Sequence, residues 1–172
     1  MTHCKHGENE RGKKAMIVSG RDTMAKAEVG GIARGTIVLT LDGALPVEHL
    51  MPGDRIITRN SGSATLSALR CHSAPRPTCL IRPNVLGFGR PEGAVITSAD
   101  QKILLRDWRA RALWGADQVL VPVSKLVDGE FITDAGLSET PLFELLFESP
   151  QVIYAGGLEL GAGIAADAVQ PA

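Results

Sequence analysis

A chain of 172 residues with 44% hydrophobic and 22% charged residues suits one ordinary globular domain with a proper core. The net charge of -1 provides no electrostatic footprint for nucleic acid or an acidic membrane surface. No apolar run approaches the roughly 20 residues that cross a bilayer, and charges stand where a secretion leader would have its apolar stretch.

Residues 1–15 are polar, alternate in charge and lack a periodic apolar face, which predicts a flexible tail. Residues 16–30, with "AMIVSG" at their start, read as an extended lead-in. From Thr36 onward, short aliphatic or β-branched runs alternate with Gly, Pro, Asp and Asn. They are Ile37–Leu41, Arg55–Thr58, Cys79–Arg82, Ala94–Thr97, Lys102–Arg106, Val119–Val121, Phe131–Thr133, Leu142–Phe147 and Gln151–Tyr154. Several have the length of sheet strands, and many short strands between turns predict an all-β fold. Pro46–Leu50 and Val123–Val127 are the best candidates for single helical turns. Residues 158–172 are small and weakly patterned, which predicts a weakly ordered end. Three irregularly spaced cysteines form no disulfide framework, so a reducing, cytoplasmic setting is the default, with signal-less export left open.

Gly31 to Thr36 leads into the first strand-like run, and "DGALPVEHLMPGDRIITR" follows. This opening resembles that of the Hint domain shared by Hedgehog proteins and inteins, in particular the bacterial stand-alone branch, which begins C-F-x-x-G-T and continues V-E-x-L-x-x-G-D-x-V. Gly35, Thr36, Val47, Glu48, Leu50, Gly53 and Asp54 all match. The similarity continues through "LIRPNVLGFGRP", "VITSADQKILLRD", "ALWGADQVLVPVSKLVDG" and "LFELLFESPQVIYAGG", in family order. It implies a Hint-like domain over residues 31–157, a compact pseudo-twofold fold of curved, hairpin-built sheets.

The resemblance also implies a reaction: an N-to-S acyl shift, in which a cysteine thiol attacks the carbonyl of the residue before it. The ring closes only from that one position. Gly31 stands there without a side chain, and neither Cys71 nor Cys79 can substitute from elsewhere in the chain. Thr36 has a hydroxyl but lies too far downstream. The family's S/T-x-x-H step, whose histidine protonates the leaving nitrogen, falls on Ser98-Ala99-Asp100-Gln101. Glutamine hydrogen-bonds but transfers no proton near neutral pH. Asp100 can titrate, but on an extended chain it points away from the face of Gln101. Further family positions, two histidines and an acid, fall on Glu144, Pro150 and Gly156. All four histidines (His3, His6, His49, His72) lie elsewhere. The splicing form also requires a terminal asparagine step, and the Hedgehog form a sterol-handling region; neither is seen.

His3, Cys4 and His6 could join Cys71, His72 and Cys79 around zinc, but "CHSAPRPTC" lacks the C-x-x-C knuckle, and Cys79 reads better as a small buried hydrophobe. The glycine-rich "VLGFGRPEG" and "YAGGLELGAG" read as turns and not as phosphate loops. Trp108, Trp114 and Tyr154 are scattered, as core or rim packing requires. Glu48 and Asp54 read as structural caps. The expectation is therefore a monomeric Hint-like protein without the residues for acyl shift, acting as a binding or accessory module toward an unidentified protein partner. No metal, cofactor, nucleic acid or membrane enters this expectation. The alternative is self-processing through a non-standard nucleophile.

Overall fold

A computed structural model describes residues 30–165 of the chain. The charged tail, the "AMIVSG" lead-in, the His3–Cys4–His6 group and the last seven residues lie outside the described part. Fourteen strands are joined in one hydrogen-bonded sheet that curls into a half-barrel, so the all-β expectation holds. In chain order they are β1 (Ile32–Ala33), β2 (Ile37–Thr40), β3 (Gly43–Pro46), β4 (Arg55–Thr58), β5 (Gly62–Thr65), β6 (Ala68–His72), β7 (Arg76–Ile81) and β8 (Val95–Ser98). Then follow β9 (Lys102–Leu105), helix α1 (Trp108–Trp114), β10 (Val119–Pro122), β11 (Ile132–Ser138), β12 (Leu142–Phe147), β13 (Gln151–Ala155) and β14 (Leu158–Ile164). The main path runs β11-β7-β8-β1-β12-β14-β13-β2-β4-β5.

One unit occurs twice. The β2–β3 hairpin ends in a single 3-10 turn, Val47–His49, and the β9–β10 hairpin ends in another, Val123–Leu126, as the sequence predicts. Pro46, Val47, Leu50 and Gly53 recur with identical spacing as Pro122, Val123, Leu126 and Gly129. Each proline stands in extended backbone just before its turn, each valine is fully buried, and each glycine has positive φ (101° and 82°). Proline's fixed φ starts the turn and glycine's missing Cβ ends it, so the shape is specified locally. Around these units, Val38, Ile56, Ile81, Ile103, Leu105, Phe147, Leu158 and Leu160 close the core.

Several elements differ from expectation. The segment from residue 158 was expected to be weakly ordered, yet Leu158–Ile164 forms β14, paired with β13 from Leu158 to Ala162 and with β12 at Gly163 and Ile164, and touching β9. Its sequence lacks clean alternation, and its order comes from neighbours on both sides. The edge strand β11 runs five residues beyond the expected Phe131–Thr133, through a bulge at Asp134–Gly136. β3, β5 and β6 are short and carry few large apolar side chains, and pairing with β2, β4 and β12 defines them more than their own composition does. Helix α1 buries only Ala110, so no apolar stripe announced it. Its caps did: the Asp107 carboxylate accepts from the Arg109 N–H, and Gly115 ends the helix at φ 68°. Trp108 is mostly exposed, with the Arg109 guanidinium 5.5 Å above its ring, so it belongs to the rim and not the core. Among the described residues no helix is long and apolar enough to cross a membrane.

Candidate functional site

The residues singled out at the start of the fold meet in space. Gly31 immediately precedes β1, which is sandwiched between β8 and β12. Its carbonyl accepts from the Ser98 N–H at 2.9 Å, which ties it to the end of β8. Its own N–H donates to Gln101 Oε1 at 2.9 Å across 70 residues of chain. The Gln101 amide nitrogen donates to the carbonyls of Lys102 (2.9 Å) and Gly161 (2.8 Å). Gln101 is 5% exposed, and its oxygen and both donors are used. The side chain standing at the family's histidine position therefore grips the nitrogen of the Gly30–Gly31 bond, as an acceptor.

A cavity of about 480 Å3 opens at this junction. Gly30, Asp100, Gln101, Glu144, Pro150 and Gln151 supply its backbone-rich and polar wall, and Ile32, Leu120, Phe143 and Leu160 its apolar wall. The positions that the resemblance marked at Gln101, Glu144 and Pro150 are thus gathered around one space. Gly156 is not. It sits in the β13–β14 turn at φ 63°, on the wall of a separate cavity of about 380 Å3, where an added Cβ would lie 2.8 Å from Val95 Cγ2. An acidic side chain there would need the strand to move.

Asp100 departs from the expected geometry. The chain is not extended at this point: Ala99-Asp100 forms a turn whose Asp100 N–H donates to Ser98 Oγ at 3.2 Å. Asp100 and Gln101 consequently both reach the cavity wall, and the strand-alternation argument fails because there is no strand.

His72, which the sequence offers only as a candidate zinc ligand, finds a different partner. It ends β6, next to β12, and its Nε2 lies 2.9 Å from Glu144 Oε1, both side chains being largely buried. Glu144 faces the cavity, one register step beyond the Ile32–Phe143 pair of β1 and β12. Glu144 of the cavity wall thus has an imidazole as its hydrogen-bond partner. Only the antiparallel pairing of β6 with β12 brings the two together, and nothing local to His72 signals it.

No group of three or more potential metal ligands occurs among the described residues, and His3, Cys4 and His6 of the zinc alternative lie outside them. Burial pushes the Cys79 thiol up, with Asp134 and Asp100 adding to the effect, as befits a small buried hydrophobe. Glu48 and Asp54 act as caps. Glu48 accepts from the Gly35 N–H at 2.7 Å, and Asp54 from the Met51 N–H at 2.9 Å. Burial alone would raise the Glu48 carboxyl, but its backbone hydrogen bonds, led by Gly35, and nearby His49 and Arg34 bring it below the usual range. The first glycine-rich segment is a turn, with positive φ at Gly87 and Gly89, whereas the second is a turn only at Gly156 and Gly157 and otherwise belongs to β13 and β14.

With this geometry in place, comparison with known proteins is specific. The fold is similar to a DnaB intein from Synechocystis sp. PCC 6803, with a TM-score of 0.56 at 15% identity, covering 79% of this chain and all of that one. It is also similar to a bacterial intein-like domain from Clostridium thermocellum (TM-score 0.53, 12% identity, 77% and 96% covered). The splicing domain of the Msm DnaB1 intein, solved with zinc bound, matches with a TM-score of 0.53 at 13% identity, covering 77% of this chain and 98% of that one. At such identities these likenesses concern the fold alone. No functionally curated protein sequence matches the chain. The sequence pattern of the Hint domain, however, matches residues 31–162, about three quarters of the chain, and the protein therefore belongs to the Hint domain family.

Proposed function

We infer that this Hint domain does not carry out the acyl shift and serves as a binding or accessory module. It would act as a monomer toward a protein partner, with no role for nucleic acid or a membrane. One observation carries this: the Gly31 N–H is held by the Gln101 amide oxygen. A peptide bond followed by glycine has no neighbouring side chain to attack it, and an amide that only accepts the N–H has no proton to return to a departing nitrogen. The cavity at the junction is large enough for a ligand and mixes apolar and polar walls, as binding sites do.

Self-processing through another nucleophile has one observation in its favour, Glu144 on the cavity wall with His72 as its hydrogen-bond partner. Intact-mass spectrometry after incubation with dithiothreitol or hydroxylamine separates the two. An unchanged mass is expected, and a break between Gly30 and Gly31 would overturn the inert assignment. A second arm uses Gly31→Cys with Gln101→His. The new Cβ would lie 3.0 Å from Leu142 Cβ, so that side chain must shift by a few tenths of an ångström. Thiol-dependent cleavage should then appear if the junction supports the family chemistry.

A further inference from the structure

Further along β14, Glu159 gathers three arginines from three distant segments. Arg106, just after β9, grips it in bidentate fashion, Nε to Oε1 at 2.9 Å and an NH2 nitrogen to Oε2 at 2.8 Å. That contact alone satisfies and neutralises the carboxylate, which is 8% exposed. Yet Arg59, in the turn after β4, and Arg90, in the loop between β7 and β8, each bring a guanidinium nitrogen to 3.8 Å from the same Oε2. That distance is too long for a hydrogen bond, so their donors are not used up by Glu159. Among the described residues neither guanidinium donates a hydrogen bond elsewhere. Three cations stand around one anion, and two positive charges are left over.

The backbone is shaped to hold this arrangement. Gly157 has φ 84°, and a Cβ there would come within 3.1 Å of Pro91 Cα, so the missing side chain lets the Arg90 loop close over the β13–β14 turn. Between them lies a cleft of about 110 Å3 lined by Arg90, Arg106, Asp107, Gly157 and Glu159. Asp107, the other carboxylate there, is tied to Arg109 at 2.6 Å and to the start of α1, so it does not cancel the excess. Space for about three or four waters suits one small ion and excludes a nucleoside or a peptide.

We propose that Arg90 and Arg106 in this cleft, organised by Glu159 and joined by Arg59, which approaches Glu159 from outside the cleft lining, bind a tetrahedral oxyanion of phosphate or sulfate size. Like-charged guanidiniums held together repel one another, and an anion seated among them relieves that repulsion while accepting the donors Glu159 leaves unused. The site is separate from the junction cavity and does not depend on whether the chain cleaves itself.

The test is an NMR titration of the full chain, following the arginine Nε–Hε signals, with sodium phosphate or sulfate against sodium chloride at equal ionic strength. Saturable shifts at Arg90 and Arg59 are expected with phosphate and sulfate but not with chloride. Arg90→Gln and Arg59→Gln, which leave the Arg106–Glu159 contact in place, should each weaken binding by about tenfold while the far-ultraviolet circular dichroism stays unchanged. Non-saturating shifts equal in chloride, or binding indifferent to both substitutions in folded protein, would overturn the site.

Discussion

At the turn after β3, Val47, Glu48, Leu50, Gly53 and Asp54 match the Hint pattern residue for residue, whereas at the junction before β1 the family's cysteine and histidine positions hold Gly31 and Gln101. Val47 and Leu50 of the turn are as buried as Gln101 of the junction, so burial alone does not separate the two regions. Their contribution does. Val47 fills the core, Gly53 supplies a positive φ, and Asp54 and Glu48 satisfy backbone N–H groups, so each is needed merely to fold. A thiol and an imidazole at the junction would be needed only to react. Gln101 serves folding well in their place, because one amide meets three buried backbone groups. The difference teaches which residues this scaffold requires and which only its chemistry requires.

The largest test of that contrast restores the family's acidic residue away from the junction, as Gly156→Asp. A side chain at φ 63° with its Cβ against Val95 should cost about 2–5 kcal/mol in urea denaturation, and an unchanged midpoint would show that this turn is looser than its packing implies. Next comes Gln101→Ala, which strips the buried Gly31 N–H of its acceptor. A loss of about 2–3 kcal/mol is expected, with faster amide exchange at Gly31; neither change would mean that Gln101 is idle in folding.

A smaller effect belongs to the second copy of the turn. The Asp128 carboxylate accepts from the N–H groups of Glu130, Phe131 and Ile132, so Asp128→Ala should lower stability by about 1 kcal/mol. The smallest is the pH response of the two turns. The Asp128 carboxyl lies below its usual range chiefly through its bonds from Ile132 and Glu130, and that of Glu48 is also lowered. A carboxyl depressed by folding stabilises fully above its unfolded pKa of about 4 and loses that stabilisation as pH falls through its folded value. Thermal melts should therefore drop modestly below about pH 4, screened by solvent at these exposed turns, and less so in Asp128→Ala. Equal acid sensitivity in that variant would assign the effect to other groups.

Much of the fold was legible because its signals are local. Arg55–Thr58 and Leu142–Phe147 were read to the residue, and both 3-10 turns fall within the expected Pro46–Leu50 and Val123–Val127. Strands such as β5 and β14 were missed because their order comes from partners and not from their own pattern. At the site, the roles of Gly31 and Gln101 could be named from motif order, but Asp100 was turned the wrong way because the chain bends there.

By itself the amino-acid sequence determined the family, the all-β class and the absence of thiol and imidazole at the junction, since each is a property of residue type and order. Only the tertiary structure decided that Gln101 meets Gly31, that His72 meets Glu144, and that Arg59, Arg90 and Arg106 converge on Glu159. Those contacts join residues tens of positions apart, through strand pairings and loop closures that no local pattern encodes.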